Sequence, residues 1–427
     1  MHASESRPAT SASDGTASGR ASEAGTTPTP GGRTKPPAPF SCTYSRNLPE
    51  LLSQMECTLV ISTYQAGKVI FISALDTDRL VQLPRNFNTP MGMAVNGQRL
   101  AVATKDEVVV LANAPTLAHN YPQQPNTYDG LFVPRAVYFS GAVNIHDLAW
   151  GVDGLWAVNT LFSCTALVSD EFSFEPRWQP PFISDLAPED RCHLNGLAME
   201  DGHPRFVTAL GASDTPRGWR PEKITGGILM DVTSGEIVLE GLPMPHSPRV
   251  YNGQVYVLLS ATGELACADV KAGSYEVVAK MPGFVRGMTL IDDYLFIGLS
   301  RLRKTSPTFG DLPIAKESVF SGVYVVHLPT GSIAGHLRYT ASCEEIYDVS
   351  VLTGGRRPGL MGLGQDHRRA LSLPTKSFWA REEPNQDSQR DGQSMADTHS
   401  TSDDGQPTSQ PARPSREEQD SRGNEIA

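Results

Sequence analysis

Met91-Gly-Met-Ala-Val95 is the first of six short, similar units in this chain. Each unit is followed six to eight residues later by a tight-turn residue, and in the first five units a β-rich run then follows. A strand, a turn and a second strand repeated about every 50 residues is typical of blades stacked around an axis. The other five units are His146-Asp-Leu-Ala-Trp150, Asn195-Gly-Leu-Ala-Met199, Ser247-Pro-Arg-Val-Tyr251, Arg286-Gly-Met-Thr-Leu290 and Tyr347-Asp-Val-Ser-Val351.

The first and last strands predict how the ring closes. The first foldable segment reads as three strands, 58–64, 68–74 and 79–85, with no inner strand before them. The last clear strand, 346–352, has the inner-strand pattern but little follows it. Pairing the two removes exposed sheet edges. The sequence therefore predicts an all-β, six-bladed β-propeller closed by pairing of its N- and C-terminal strands.

The two ends of the chain differ in composition from the middle. Residues 1–40 are mostly Ser, Thr, Gly, Pro and Ala, and residues 382–427 are similar, with eleven acidic residues against four basic ones. Neither end can bury enough apolar surface to offset the entropy of ordering it. We predict disordered tails at 1–40 and 382–427 and a propeller domain at 41–381.

Charge and cysteine usage exclude several classes of partner. The formal net charge is −11, of which the acidic tail supplies most, so the core offers no basic footprint for nucleic acid or an anionic membrane. No secretory signal and no apolar run of about 18 residues is present. The six cysteines form no Cys-x-x-Cys pair, which suits reduced thiols. We expect a cytoplasmic protein without nucleic-acid or membrane partners.

Equivalent positions of the inner strands should form a ring at one end of the axis. An apolar channel would not use polar side chains there, because each unpaired polar group costs about 1–3 kcal/mol. Asp147 and Asp348 come one position later and should point into the blade unless the strand bulges. The ring residues are Met91, His146, Asn195, Ser247, Arg286 and Tyr347, joined by His193 and Glu345 two positions upstream.

Three histidines lie at this end of the axis, which we call the mouth, and are candidate metal ligands. Imidazoles of His146, His193 and His246 could hold a divalent zinc, iron or manganese ion. Alternatively, they are hydrogen-bonded side chains that tie neighbouring blades together.

Arginines at the same mouth suit an anion. Arg249 and Arg286 could bind a carboxylate or phosphate with a planar fork. The alternative is a set of inter-blade salt bridges with Glu344, Glu345 and Asp348. The insertion at 211–220, which carries Trp219, is either a lid over the mouth or a structural cover.

One short stretch resembles a known propeller family. Asn195-Gly-Leu-Ala198 is similar to the metal-binding inner strand of gluconolactonase and regucalcin propellers, which implies that Asn195 is a metal ligand. The chain departs from that pattern at Met91 and Arg286, where those enzymes have carboxylates. A guanidinium there would repel a cation, which argues against a calcium-type lactonase site.

Longer strings resemble another family over residues 50–362. They include Ile61-Ser-Thr-Tyr-Gln-Ala-Gly67, Glu189-Asp-Arg-Cys-His-Leu-Asn-Gly196 and Pro282-Gly-Phe-Val-Arg-Gly287. These strings are similar to a bacterial family of conserved hypothetical proteins of unknown function. The resemblance covers nearly all of the foldable core and implies no activity.

Two functional hypotheses follow, and the sequence leaves enzymatic activity open between them. The first is a small-molecule site for an anionic or carbonyl-bearing ligand, which could be a metal-dependent hydrolase or lyase with Glu345 or Tyr347 handling the proton. The second is a non-catalytic propeller whose mouth and 211–220 insertion bind a protein. In the first hypothesis, the ligand-binding residues are Asn195, Ser247, Arg249, Arg286, Asp147 and Asp348.

Overall fold

A computed structural model describes residues 6–8, 10–11, 36–302, 309–364 and 366–381. Most of the predicted tail at 1–40, and all of that at 382–427, lies outside these residues. Six sheets surround a common axis, and the innermost strand of each sheet contacts the innermost strands of its neighbours. The predicted six-bladed, all-β propeller is confirmed.

The first three blades each place four strands in order from the axis outward. Blade 1 contains Asp348–Thr353, Cys57–Thr63, Lys68–Ala74 and Leu80–Asn86. Blade 2 contains Met93–Asn96, Arg99–Ala103, Glu107–Asn113 and Gly130–Phe139, with Pro358–Leu360 at its outer edge. Blade 3 contains Ile145–Gly151, Gly154–Asn159, Cys164–Leu167 and Glu175–Trp178.

The remaining blades follow the same order. Blade 4 contains Leu194–Glu200, His203–Ala209, Gly227–Asp231 and Ile237–Leu242. Blade 5 contains Pro245–Tyr251, Gln254–Leu259, Glu264–Asp269 and Ser274–Lys280. Blade 6 contains Phe284–Ile291, Tyr294–Ser300, Gly322–His327 and Ser332–Tyr339, with Cys42–Ser45 at its outer edge.

Short elements decorate the blades. Ser6–Pro8 pairs with Cys42–Ser45, Thr10–Ser11 lies beside Leu80–Asn86, and Ala370–Ser372 pairs with Ser377–Trp379. The helices are Leu48–Gln54 and Pro115–Ala118, with 3-10 turns at Arg220–Glu222, Pro313–Lys316 and Asp366–Arg369. Among the described residues, no helix combines the length and apolarity needed to cross a membrane.

Strand exchange between the chain ends closes the ring. Asp348–Thr353 pairs antiparallel with Cys57–Thr63, as the sequence predicts. Two further pairings were not predicted: Cys42–Ser45 joins Ser332–Tyr339, and Pro358–Leu360 runs parallel to Gly130–Phe139. These strands have only four and three residues, too few for a period-of-two pattern to stand out.

The hydrophobic core lies between adjacent blades. In the strand Lys68–Ala74, Val69 and Phe71 pack toward blade 2, whereas Ile70 and Ile72 pack toward blade 6. Alternate residues of a strand point to opposite faces, so a strand covered on both faces becomes a continuous apolar run. The six buried sheets hold the inner strands in fixed positions around the axis.

Backbone irregularities occur where the inner strands carry their polar residues. The register shifts between Ile145 and Leu148 in blade 3, and comparable shifts occur in blades 4, 5 and 6. His193 and Ser247 have φ values of +52° and +49°, which are uncommon for residues with a side chain. Bulges change the direction of side chains. The bulge beside Asp147 is the condition under which this side chain was not expected to point into the blade.

Candidate functional site

Polar side chains near the start of the inner strands of blades 1, 3 and 5 each bond the blade that follows. Asp348 accepts hydrogen bonds from the Met93 and Val349 amides at 2.7 and 2.8 Å. Asp147 accepts from the Leu197 amide at 3.0 Å. In blade 5, the Ser247 hydroxyl accepts from the Gly287 amide at 3.0 Å. These bonds join blade 1 to 2, blade 3 to 4 and blade 5 to 6.

Glycines occupy the second position of the units in blades 2, 4 and 6. A Cβ on Gly287 would lie 2.5 Å from Asp348 Cα, and one on Gly196 would lie 2.3 Å from Pro248 Cδ. A Cβ on Gly92 would lie 2.7 Å from the Cα of Asp147. Real Cβ atoms do not approach so closely, so the inner segments can meet only if these residues lack a side chain.

Arg249 forms a buried ion pair across the ring. Its Nη1 and Nη2 donate to the two Asp147 carboxylate oxygens at 2.8 and 3.1 Å, and Nη1 also donates to the Leu197 carbonyl at 3.1 Å. Burial raises the pKa of Asp348 to about 7, the nearby Asp147 adds to the rise, and Arg249 opposes it. Asp147, Ser247, Arg249 and Asp348 are thus held by bonds within the propeller.

Two histidines are also held by hydrogen bonds within the propeller. His246 Nδ1 lies 2.9 Å from Ser260 Oγ and 3.0 Å from the Met244 carbonyl, and the Ser260 hydroxyl donates to Val285 O at 2.6 Å. Because that hydroxyl proton is already used, the imidazole must donate from Nδ1. His146 repeats the arrangement with Thr160, whose Oγ1 lies 2.8 Å from Nδ1.

Sequence reasoning missed Thr160 and Ser260, although a signal for them exists. Each lies fourteen residues after its histidine, directly after the last residue of the second strand of blades 3 and 5. The same spacing in two blades, with a hydroxyl residue both times, would have indicated a histidine anchor.

The third histidine lies beneath the insertion. His193 Nδ1 is 2.9 Å from Asp190 Oδ1, and Trp219 Nε1 donates to Asp190 Oδ2 at 3.1 Å. The Trp219 ring lies 4.4 Å from the His193 ring and is buried. Arg191 fastens this region through ion pairs to Glu189 and Asp214, both at 2.7 Å. The packing and ion pairs favour the cover over a freely moving lid, and Asp190 is a residue that the sequence did not single out.

Arg286 differs from Arg249 because it forms no ion pair with any described residue. Its side chain is buried and lies over the Tyr347 ring, with Cζ 3.5 Å from the ring centroid. Its Nη2 atom is buried and has no hydrogen-bond partner among the described residues. A guanidinium is always charged, and a buried charge without a partner is strongly unfavourable.

Three more buried polar atoms at the axial end of the inner strands have no hydrogen-bond partner within the described part of the chain. They are Asn195 Nδ2, His246 Nε2 and the Tyr347 hydroxyl. Asn195 Oδ1 accepts from the Thr208 hydroxyl at 2.7 Å, so the amide presents its NH2 group instead. Such orphan atoms are uncommon in folded proteins. These three and Arg286 Nη2 come from blades 4, 5, 1 and 6, and the described residues hold further orphan atoms elsewhere, among them Trp156 Nε1, Asn159 Nδ2 and Arg338 Nε.

Ring contacts and electrostatics link the three histidines, Arg286 and Tyr347 into one cluster, and Asn195 occupies the equivalent ring position of blade 4. The His146 ring lies 4.8 Å from His193 and 5.8 Å from Tyr347. Burial holds the pKa of His246 well below its usual range, and Arg286 and His193 lower it further. We call this set the axial cluster: His146, His193, Asn195, His246, Arg286 and Tyr347.

Glu345 lies at the edge of the axial cluster. Its Oε2 accepts a hydrogen bond from the Gln65 amide at 3.0 Å. Burial raises the pKa of Glu345, and the charge of Arg286 opposes that rise. The two residues therefore interact electrostatically without forming an ion pair. Met91, the ring residue of blade 2, is instead packed in an apolar cluster with Ala101 and Ile145.

The axial cluster does not fit a metal ion. Within the described ranges, no three or more His, Cys, Asp or Glu side chains are arranged to hold one. Asn195 has its oxygen engaged by Thr208, and Arg286 places a positive charge near His246. The donors and the charge favour an anion, so the metal assignment to His146, His193 and His246 stays a prediction that this geometry does not support.

Comparison with known proteins identifies the family. The model of a family described as a domain of unknown function (DUF4915) matches residues 46–361. The chain belongs to this family. The DUF4915 match spans nearly the whole propeller and assigns no activity to it. No curated protein matches the chain.

The comparison with solved structures gives no information about function. One similar chain, from a crystal structure of a nidogen/laminin complex, is 8% identical, with a TM-score of 0.40. The match covers 69% of this chain and 98% of that one. At this TM-score the likeness carries no argument, and the gluconolactonase resemblance of Asn195-Gly-Leu-Ala198 stays a prediction.

Proposed function

We propose that the axial cluster binds a small organic anion through a carboxylate or phosphate group. The observation that carries the proposal is the buried Arg286 guanidinium, which forms no ion pair with a described residue and whose Nη2 has no hydrogen-bond partner among them. A bound anion would supply the missing charge and accept charge-assisted hydrogen bonds, which contribute about 1.5–3 kcal/mol each. Arg249 cannot take this role because Asp147 already occupies its fork.

Two neighbouring donors support the same ligand. Asn195 Nδ2 and the Tyr347 hydroxyl are buried without acceptors among the described residues. Burial raises the pKa of Tyr347 and Glu345 adds to the rise, while Arg286 opposes it, so the phenol keeps its proton. One anionic group could therefore satisfy donors from three blades at once. The surrounding backbone ties pre-organise these donors, which lowers the entropic cost of binding.

Turnover is a further proposal at the same site. A hydrolase or lyase reaction needs a group that transfers a proton, and Glu345 is a carboxyl whose pKa burial raises. Tyr347 would act only as a proton donor, since its pKa is also raised. Catalysis would be supported if the wild type forms a product from a bound carboxylate or phosphate ester and Glu345→Gln does not. Binding without any product would restrict the function to recognition.

The binding test compares two arginines that both lie over aromatic rings. We expect small carboxylates or phosphates to raise the unfolding temperature of the full chain, and Arg286→Met to abolish the rise. A ligand at 100 times its Kd stabilises a protein by about 2.7 kcal/mol. Arg99 lies over the Trp150 ring outside the axial cluster, so Arg99→Met should keep the response. A panel without any stabilising anion, or a response that survives Arg286→Met, would refute the proposal.

The alternative is a propeller that binds a protein at the same mouth. It would be supported if a purified partner binds the wild type, fails to bind Arg286→Met, and no small anion competes. The protein-partner assignment and the lack of nucleic-acid and membrane partners stay predictions.

We also propose a cytoplasmic location. None of the six cysteines forms a disulfide bond, and five of them are buried, which suits a reducing compartment. The bacterial origin stays a prediction from the sequence resemblance.

A further inference from the structure

His246 offers a hydrogen-bond acceptor among the donors of the axial cluster. Its Nδ1 proton is held between the Ser260 hydroxyl and the Met244 carbonyl, at 2.9 and 3.0 Å. The neutral ring therefore carries a lone pair on Nε2. That atom is buried and has no partner among the described residues.

The lone pair on Nε2 cannot be satisfied by the anionic group of a ligand. A carboxylate or phosphate oxygen only accepts, so it would meet Nε2 as a second acceptor. Protonation of Nε2 would remove the conflict, but it would add a second positive charge beside Arg286. Burial and that neighbouring guanidinium both lower the pKa of His246, which opposes this route.

We infer that the ligand of the axial cluster carries a hydroxyl group beside its anionic group, and that this hydroxyl donates a hydrogen bond to His246 Nε2. The inference rests on the proposed anion site and names its substrate class: small hydroxycarboxylates or hydroxyl-bearing phosphate esters. Arg286 and His246 come from adjacent inner strands, so the two groups of one small molecule can engage both.

The hydroxyl should determine selectivity. A ligand without it would leave Nε2 buried and unsatisfied, the situation in which sites built for hydrogen bonding reject analogues most strongly. We expect the hydroxylated member of a matched pair to bind roughly 10- to 100-fold more tightly than the deoxy member.

The experiment is isothermal titration calorimetry of the full chain with two matched pairs. The carboxylate pair is lactate and propionate, and the phosphate pair is glycerol phosphate and propyl phosphate. The pair that binds identifies the anionic group. In His246→Asn, the side-chain NH2 can still donate to the Met244 carbonyl, but no acceptor replaces Nε2. We expect this variant to bind both members of the pair with similar affinity.

The control is His327→Asn. His327 lies in blade 6 outside the axial cluster, with Nδ1 2.8 Å from Thr330 Oγ1, and its replacement should leave the preference unchanged. Equal binding of both pair members by the wild type overturns the inference and leaves the anion site standing. Binding of neither pair counts against the anion site itself.

A second measurement does not depend on a folded variant. Nitrogen-15 spectra of the histidines in the wild type should show His246 protonated at Nδ1 and bare at Nε2. A ring protonated at Nε2 would overturn the inference.

Discussion

Arg249 and Arg286 should respond differently to the same substitution by methionine. Arg249→Met removes both bonds to the Asp147 carboxylate and the bond to the Leu197 carbonyl. Asp147 then stays buried as an uncompensated charge with only amide donors. Breaking a buried pair in this way costs about 3–5 kcal/mol of unfolding free energy.

Arg286→Met breaks no hydrogen bond or ion pair within the described residues. It loses the contact with the Tyr347 ring, which contributes about 0.5–2 kcal/mol, and it removes a buried charge that has no partner there. We expect its unfolding free energy to lie within about 1 kcal/mol of the wild type, or above it.

Urea unfolding followed by tryptophan fluorescence, in buffer without added carboxylate or phosphate, measures both variants. The slope of the transition should stay unchanged, so that midpoint shifts report stability. The double variant Asp147→Asn with Arg249→Met removes both charges and should recover part of the loss. The reasoning fails if Arg249→Met costs less than about 1 kcal/mol, or if Arg286→Met costs as much as Arg249→Met.

Two further predictions concern the ties between blades. Burial raises the pKa of Asp348 to about 7 in the folded state, so the stability that its protonated side chain contributes should be full below about pH 4 and lost as the pH rises to 7. The urea midpoints of the wild type and of Asp348→Asn should therefore converge or cross over this pH range. Parallel profiles would contradict the raised pKa. Gly287→Ala should destabilise the fold by about 1–3 kcal/mol more than Gly253→Ala in thermal unfolding, since both residues have positive φ but only the Gly287 Cβ would clash, and equal losses would show that the close approach is not tight.

The propeller architecture could be predicted because the sequence of the inner strands repeats. The six inner strands share one pattern, so their number and the pairing of 346–352 with the first blade followed from the sequence. The pairings of Cys42–Ser45 and Pro358–Leu360 could not be predicted in this way, because strands of four and three residues are too short to show a repeat pattern. The alternation of Gly92, Gly196 and Gly287 with bulkier residues in the other three units was visible, and would have shown that odd and even blades pack differently.

The axial cluster was predicted as a set of residues but not as a set of interactions. Position in the ring brought together His146, Asn195, Arg286 and Tyr347. Nothing local distinguishes Arg249 from Arg286, since the partner of Arg249 is 102 residues away and depends on the bulge at Asp147. Which polar atoms remain without a partner is settled by packing in three dimensions, and that is the property from which the anion site is inferred.

The pairing of Asp348–Thr353 with Cys57–Thr63 has a consequence for synthesis on the ribosome. The strand that completes blade 1 is made 285 residues after the strand it covers. At about 5–20 residues per second, the edge of Cys57–Thr63 waits roughly 15–60 s for its neighbour. During that interval an emerging chain presents an apolar strand edge that another copy on the same messenger could occupy. Slow translation should therefore increase misassembly, and the synthesis of Asp348–Thr353 is the step that commits the inner ring to its native form.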